Sequence, residues 1–124
     1  MNSTNDDEVI LRGVLEPWKT AVDAHEPEAV ARLFTEDAIF QGLHPCAVGR
    51  QGVAEYYASQ PLGMKAAYDV LETRRYADDL VLGYLDTEFT FADRPPVAVK
   101  LAVLVKRQAD GWHIAHYQVS RLEG

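Results

Sequence analysis

Residues 97 to 121 read VAVKLAVLVKRQADGWHIAHYQVSR. Apolar residues alternate through the first half, the run breaks at ADG, and alternation then resumes. The stretch therefore predicts a hairpin of two long β-strands. Val97, Val99, Leu101, Val103 and Val105 share one face of the first strand, while Ala98, Lys100, Ala102 and Leu104 share the other. The first set is a core face. The second is small and apolar apart from Lys100, and a sheet apolar on both sides has both sides covered. Helices can shield only one, so the other is a candidate dimer interface.

Strict alternation in the second strand groups Trp112, Ile114, His116, Gln118 and Ser120 against His113, Ala115, Tyr117, Val119 and Arg121. This reading turns His116, Gln118 and Ser120 inward. It also points the two histidines to opposite faces, so they cannot chelate together and no metal is expected.

Upstream, two more segments of period two run over about 66 to 76 and 80 to 91, separated by ADD and ADRPP. In the second of these Val81, Gly83, Leu85, Thr87, Phe89 and Phe91 form the inward set. Tyr84, Asp86, Glu88 and Thr90 face out, with Glu88 placed to pair with Lys100 across strands. Before residue 61 the period is helical. Leu11, Val14, Leu15, Trp18 and Val22 fall on one helical face. Pro17 within it removes a backbone hydrogen bond and predicts a kink or restart near Glu16. HEPEAVARLF (25 to 34) begins a second helix at Pro27, DAIFQG (37 to 42) reads as a strand, LHPCAVGRQG (43 to 52) as a loop, and GVAEYYASQ (52 to 60) as a third helix. Helices first and an antiparallel meander after them make an α+β domain with the helices on one face of a curved sheet.

The chain of 124 residues fits one domain over 1 to 124, with residues 1 to 6 a flexible N-terminus. A net charge of −7 argues against a nucleic-acid surface. No apolar run approaches the roughly 20 residues of a membrane span, and the acidic N-terminus does not resemble a secretory signal, so a cytoplasmic location is expected. The single Cys46 cannot form an intrachain disulfide.

The outline W..AVDAHEPEAVARLFTEDAIFQG, then VGRQGVAEYY, then four strands ending GWHIAHYQVS resembles the nuclear-transport-factor-like superfamily. That superfamily includes SnoaL-like (polyketide cyclase-like) proteins, ketosteroid isomerase and scytalone dehydratase, and the outline is most similar to the SgcJ/EcaC type. The resemblance implies a cone-shaped, cystatin-like fold, with three N-terminal helices packed on a curved, mainly antiparallel sheet. It also implies a pocket between the concave face and the helices, and homodimers formed through the sheet. For ligand it implies a small apolar or aromatic, polyketide-like molecule of natural-product biosynthesis, with no cofactor. The isomerase pattern of tyrosine, protonated acid and aspartate base falls on Trp18, Val103 and Gly42, none of which can play those roles.

His116 is the candidate acid or base for isomerisation, cyclisation or dehydration, since imidazole moves protons near neutral pH. A core histidine satisfied by a neighbouring group is the competing reading. Trp18, Phe40, Gln41, Tyr56, Tyr68, Phe89, Val103, Gln118 and Ser120 are the candidate ligand contacts. Adjacent on one helix, Tyr56 and Tyr57 differ by about 100°, so only one faces the pocket. His44 belongs to the rim, and Asp37, Asp78 and Asp79 read as solvated acids. An aromatic lining suits a flat apolar ligand, and equally a dry core. Enzyme, ligand-binding module and dimerisation domain all remain open at this level.

Overall fold

The computed structural model describes residues 3–42 and 47–121. Three helices, α1 (Ser3–Asp23), α2 (Pro27–Ala31) and α3 (Gly49–Ala58), cover one face of a six-stranded sheet. The strands are β1 (Phe34–Gln41), β2 (Ala47–Val48), β3 (Lys65–Ala77), β4 (Leu80–Thr90), β5 (Val97–Gln108) and β6 (Gly111–Arg121). Their order across the sheet is β2-β1-β6-β5-β4-β3. All pairings are antiparallel except β1 with β6, which run parallel. The α+β class and the curved, mainly antiparallel sheet under three helices hold as expected.

Helix α1 buries Leu11, Val14, Leu15, Trp18 and Val22, the periodic set of the sequence. Full burial of each such side chain is worth about 1.5–3 kcal/mol, which is why the stripe fixes the helix on the sheet. Leu11 lies directly over Gly83, where a methyl group would collide with it, so the absence of a side chain at Gly83 sets how closely helix and sheet approach. Polar contacts pin α1 along the edge strand β3. Asp23 Oδ1 accepts from the Ala66 N–H at 2.9 Å, Lys19 Nζ donates to the Ala66 carbonyl at 2.7 Å, and the Tyr68 hydroxyl donates to Glu16. At the other end Arg75 Nε bonds the buried Asp7 at 2.8 Å. The two contacts at Ala66 occupy backbone groups of an edge strand that would otherwise invite pairing with another chain.

Three expectations are corrected. Helix α1 runs through Pro17 without restarting. Pro17 and Gly13, whose carbonyl the proline leaves without a helical donor, both lie on the exposed side, where water can replace the lost bond. Strand β1 begins at Phe34, three residues before the expected start, and the stretch read as loop contains β2, paired with it through Ile39↔Val48 and Phe40↔Ala47. Lys100 pairs with Asp86, its direct cross-strand partner, while Glu88 stands opposite Ala98.

The largest correction is in β6. Val105 pairs with Ile114 but Leu104 pairs with His116, leaving Ala115 as a β-bulge that inserts one residue. One extra residue exchanges the faces of everything beyond it. Ile114 and Tyr117 are both buried, whereas His116 stands outside on a row with Leu104.

Candidate functional site

The space between helices and sheet is filled by aromatic rings. Trp18 from α1, Phe34 and Phe40 from β1, Tyr57 from α3, Phe89 from β4 and Tyr117 from β6 are all buried. Phe40 stacks on Tyr117 with ring centres 4.6 Å apart and planes within 17°. Tyr57 meets Phe40 edge-on at 5.6 Å, and Trp18 lies 6.1 Å from Tyr117 and 6.3 Å from Phe89. These are the preferred offset-stacked and T-shaped geometries of aromatic pairs.

Three polar atoms sit inside this cluster. Trp18 Nε1–H donates to the Tyr57 hydroxyl at 3.2 Å, and Tyr57 in turn donates to the Tyr117 hydroxyl at 3.5 Å, long for a bond between hydroxyls. Burial pushes both phenols above their ordinary range, Tyr57 despite its hydrogen bonds to Tyr117 and Trp18, so at neutral pH neither carries charge. A cavity of about 10 Å³ beside the cluster is bordered by Val22, His25, Tyr57, Gln60 and Met64. That is room for one water at most, against roughly 300–1,000 Å³ for a small-molecule site.

The sequence-derived residues separate into groups. Trp18, Phe40, Phe89 and Val103 come together in the interior. Of the tyrosine pair, Tyr57 enters the core and Tyr56 is half-buried beside Phe40, its ring pressed so close to Gly42 that no side chain fits there. Tyr68 is half-buried between Glu16 and the Arg12 guanidinium, 5.5 Å from its ring, and burial with the Glu16 carboxylate pushes its phenol up to about 12. Gln41 is half-buried at the end of β1 and donates to the Gly42 carbonyl at 3.1 Å.

His116, Gln118 and Ser120 do not join them. The bulge turns all three to the outer face of the sheet, where His116 Nε2 lies 3.1 Å from Gln118 Oε1. Their inward placement is thus corrected, and the acid–base candidate stands on the opposite side of the sheet from the aromatic cluster. Tyr117 takes its place inside. Its position was readable in principle: a single bulge unites Ile114, Tyr117 and Val119 on one face and the polar residues on the other. His44 and Cys46 lie outside the described residues.

The outer face carries its own pattern. Cross-strand partners form a continuous row of Val48, Ile39, His116, Leu104 and Leu82 over five strands, with Ala102 and Tyr84 in the next row. Val48 is 68% exposed, Ile39 46% and Tyr84 41%, high values for apolar side chains on a regular sheet. Lys106 lies on one side of this stripe, and Asp69, Asp86, Glu88 and Lys100 on the other.

No protein-family model and no curated relative matches the chain. Solved structures do. A ketosteroid isomerase-like protein from Erwinia carotovora atroseptica is 26% identical with a TM-score of 0.79, over 94% of this chain and 96% of that one. A domain of unknown function with a cystatin-like fold from Nostoc punctiforme is 18% identical with a TM-score of 0.82, over 98% and 80%. An NTF2-like protein with a cystatin-like fold from Novosphingobium aromaticivorans is 16% identical with a TM-score of 0.78, over 96% and 84%. Among the described residues no helix is long and apolar enough to cross a membrane. The chain shares the cystatin-like fold of these structures.

Proposed function

We propose that this chain is a homodimeric assembly module, and that its working surface is the outer face of the sheet rather than a catalytic centre inside the cone. The observation that carries this reading is the apolar row Val48, Ile39, His116, Leu104 and Leu82, in register across five strands and ended by Arg74 on β3, on a face that none of the described helices covers. A second copy fits it better than an unrelated partner because the charge pattern is self-complementary. A two-fold axis lying in the interface and running along the row, across the strands, turns the Lys106 side of each copy towards the side of the other that carries Asp69, Asp86 and Glu88. The lone cysteine and acidic composition suit a reducing, cytoplasmic setting.

Sedimentation velocity tests the reading. The wild-type chain should be a dimer at neutral pH, and Leu104→Asp or Ile39→Asp should give a folded monomer, since each places two charges in the shared interface. A wild-type monomer at concentrations well above those of the cell would overturn it.

A second reading is favoured by the aromatic interior with its three polar atoms: a pocket for a flat, polyketide-like molecule of natural-product biosynthesis, as the SgcJ/EcaC resemblance implies. Entry would require Tyr56 to swing away from Gly42 and the buried rings to part. The aromatic cluster itself holds no imidazole or carboxylate: the buried Asp7 is paired with Arg75, His113 bonds the Gly111 carbonyl in the hairpin, and His25 borders only the small cavity beside Tyr57. The ketosteroid isomerase resemblance does not supply one, because the pattern it implies falls on Trp18, Val103 and Gly42. Quenching of Trp18 fluorescence by a panel of aromatic ligands supports this reading, and the absence of any response sinks it.

A further inference from the structure

The outer-face row has a titratable residue at its centre. His116 is the third of five members, between Ile39 and Leu104, and it is half-buried before anything covers it. A two-fold axis that lays the row on itself passes near this residue, so the two His116 rings of a dimer approach each other at the axis.

We propose, resting on the outer-face assembly above, that dimerisation is gated by protonation of His116: the dimer forms when the ring is neutral and separates in mild acid. A neutral imidazole can be covered at little cost, because Nε2 already has the Gln118 side chain as partner 3.1 Å away. An imidazolium in the same place loses its hydration and meets a second imidazolium across the axis.

The groups facing His116 do not offset that cost. Ile39 and Gln41 of β1, Val48 of β2, and Leu104 and Ala102 of β5 are uncharged; the exposed Asp37 of β1 accepts from the Thr35 hydroxyl at 3.0 Å and borders the turn between β5 and β6, and Arg74, which follows Leu82 in the row, is cationic. The charged groups of β5 on this face, Lys106 and Lys100, are cationic. On β6 itself Gln118 and Ser120 are neutral, and His113 is turned into the hairpin, its ring bonded to the Gly111 carbonyl at 3.2 Å and 3.7 Å from Asp110. The carboxylates of β4 and β3 lie in more distant positions. Asp86 is paired with Lys100 and Glu72 with Arg74, leaving Asp69 and Glu88, neither in the rows of His116 or Gln118. The remaining described histidine, His25, belongs to the turn between α1 and α2, away from the face.

Because the dimer carries two such rings and both must be neutral, proton linkage is second order. Acidification from about pH 7.5 to about pH 5.5 should therefore weaken the dimer more steeply than the protonation of one ring alone would. Sedimentation velocity over that range, with near-ultraviolet circular dichroism to follow folding, is the test. The wild type should pass from dimer to folded monomer, His113→Gln should do the same, and both His116→Phe and His116→Gln should stay dimeric throughout. A wild-type dimer indifferent to pH overturns the gate while leaving the assembly reading intact, whereas a monomer at every pH overturns the assembly reading itself. Retention of the pH response in both His116 variants, or loss of native structure in acid together with dissociation, also overturns the gate.

Discussion

Tyr57→Phe is the sharpest probe of whether the cone is closed. The substitution deletes the oxygen to which the Trp18 indole N–H donates, at 3.2 Å, in a cluster where Trp18 is 0% and Tyr57 4% exposed. Left without an acceptor in a dry interior, that N–H costs its desolvation energy, about 1–3 kcal/mol. Tyr117→Phe is the internal control. It removes only the 3.5 Å contact to Tyr57, beyond the usual range of hydroxyl hydrogen bonds, and should cost under about 1 kcal/mol. Urea unfolding followed by far-ultraviolet circular dichroism at neutral pH measures both. The expected order is a clear loss for Tyr57→Phe and a small one for Tyr117→Phe. If the two are equal and small, the indole has found water, and the interior is a solvated pocket rather than a packed core. That result would refute the closed cone and return the ligand-binding reading to first place.

Two further outcomes follow from the same packing. Burial raises the Tyr57 and Tyr117 phenols, so stability is complete below the unfolded value near pH 10 and falls as pH rises above it, by up to tenfold in the folding equilibrium per pH unit for each; tyrosinate absorbance should show two phenols ionising only as the fold is lost, and ionisation of every phenol with the fold intact would refute the burial. Thr87 is buried with its hydroxyl unpaired among the described residues, so Thr87→Val should raise stability by about 1 kcal/mol, and a lowered melting temperature would show that the hydroxyl has a partner after all.

Much of the architecture was legible because the residues that build it repeat at the period of their element. The stripe from Leu11 to Val22 and the alternation from Val97 to Val105 specify a helix and a strand by pattern alone, and both are buried as read. Pairings between distant segments were not legible. Nothing local to Phe34 to Gln41 says that it runs parallel beside β6, since such pairing depends on the register of residues some 80 positions apart. The site failed for a different reason. Regular alternation through Ala115 puts His116 inside, whereas the ladder slips at this small residue between Ile114 and His116.

That slip decides more than register. Without it, β6 would split its apolar residues between the two faces, with Ile114 inside beside His116 and Tyr117 outside. With it, Ile114 and Tyr117 both enter the core, and Tyr117 completes the stack on Phe40 that fills the cone. The same one-residue insertion carries His116, Gln118 and Ser120 to the outer face, into line with Ile39, Leu104 and Ala102. An inserted residue thus exchanges a candidate proton-transfer group for a core aromatic on one side of the sheet and sets a titratable ring in the middle of an apolar stripe on the other. Closure of the interior and chemistry on the exterior have one structural cause, which is why the charge state of the outer face, and not the contents of the cone, is the property of this protein to measure.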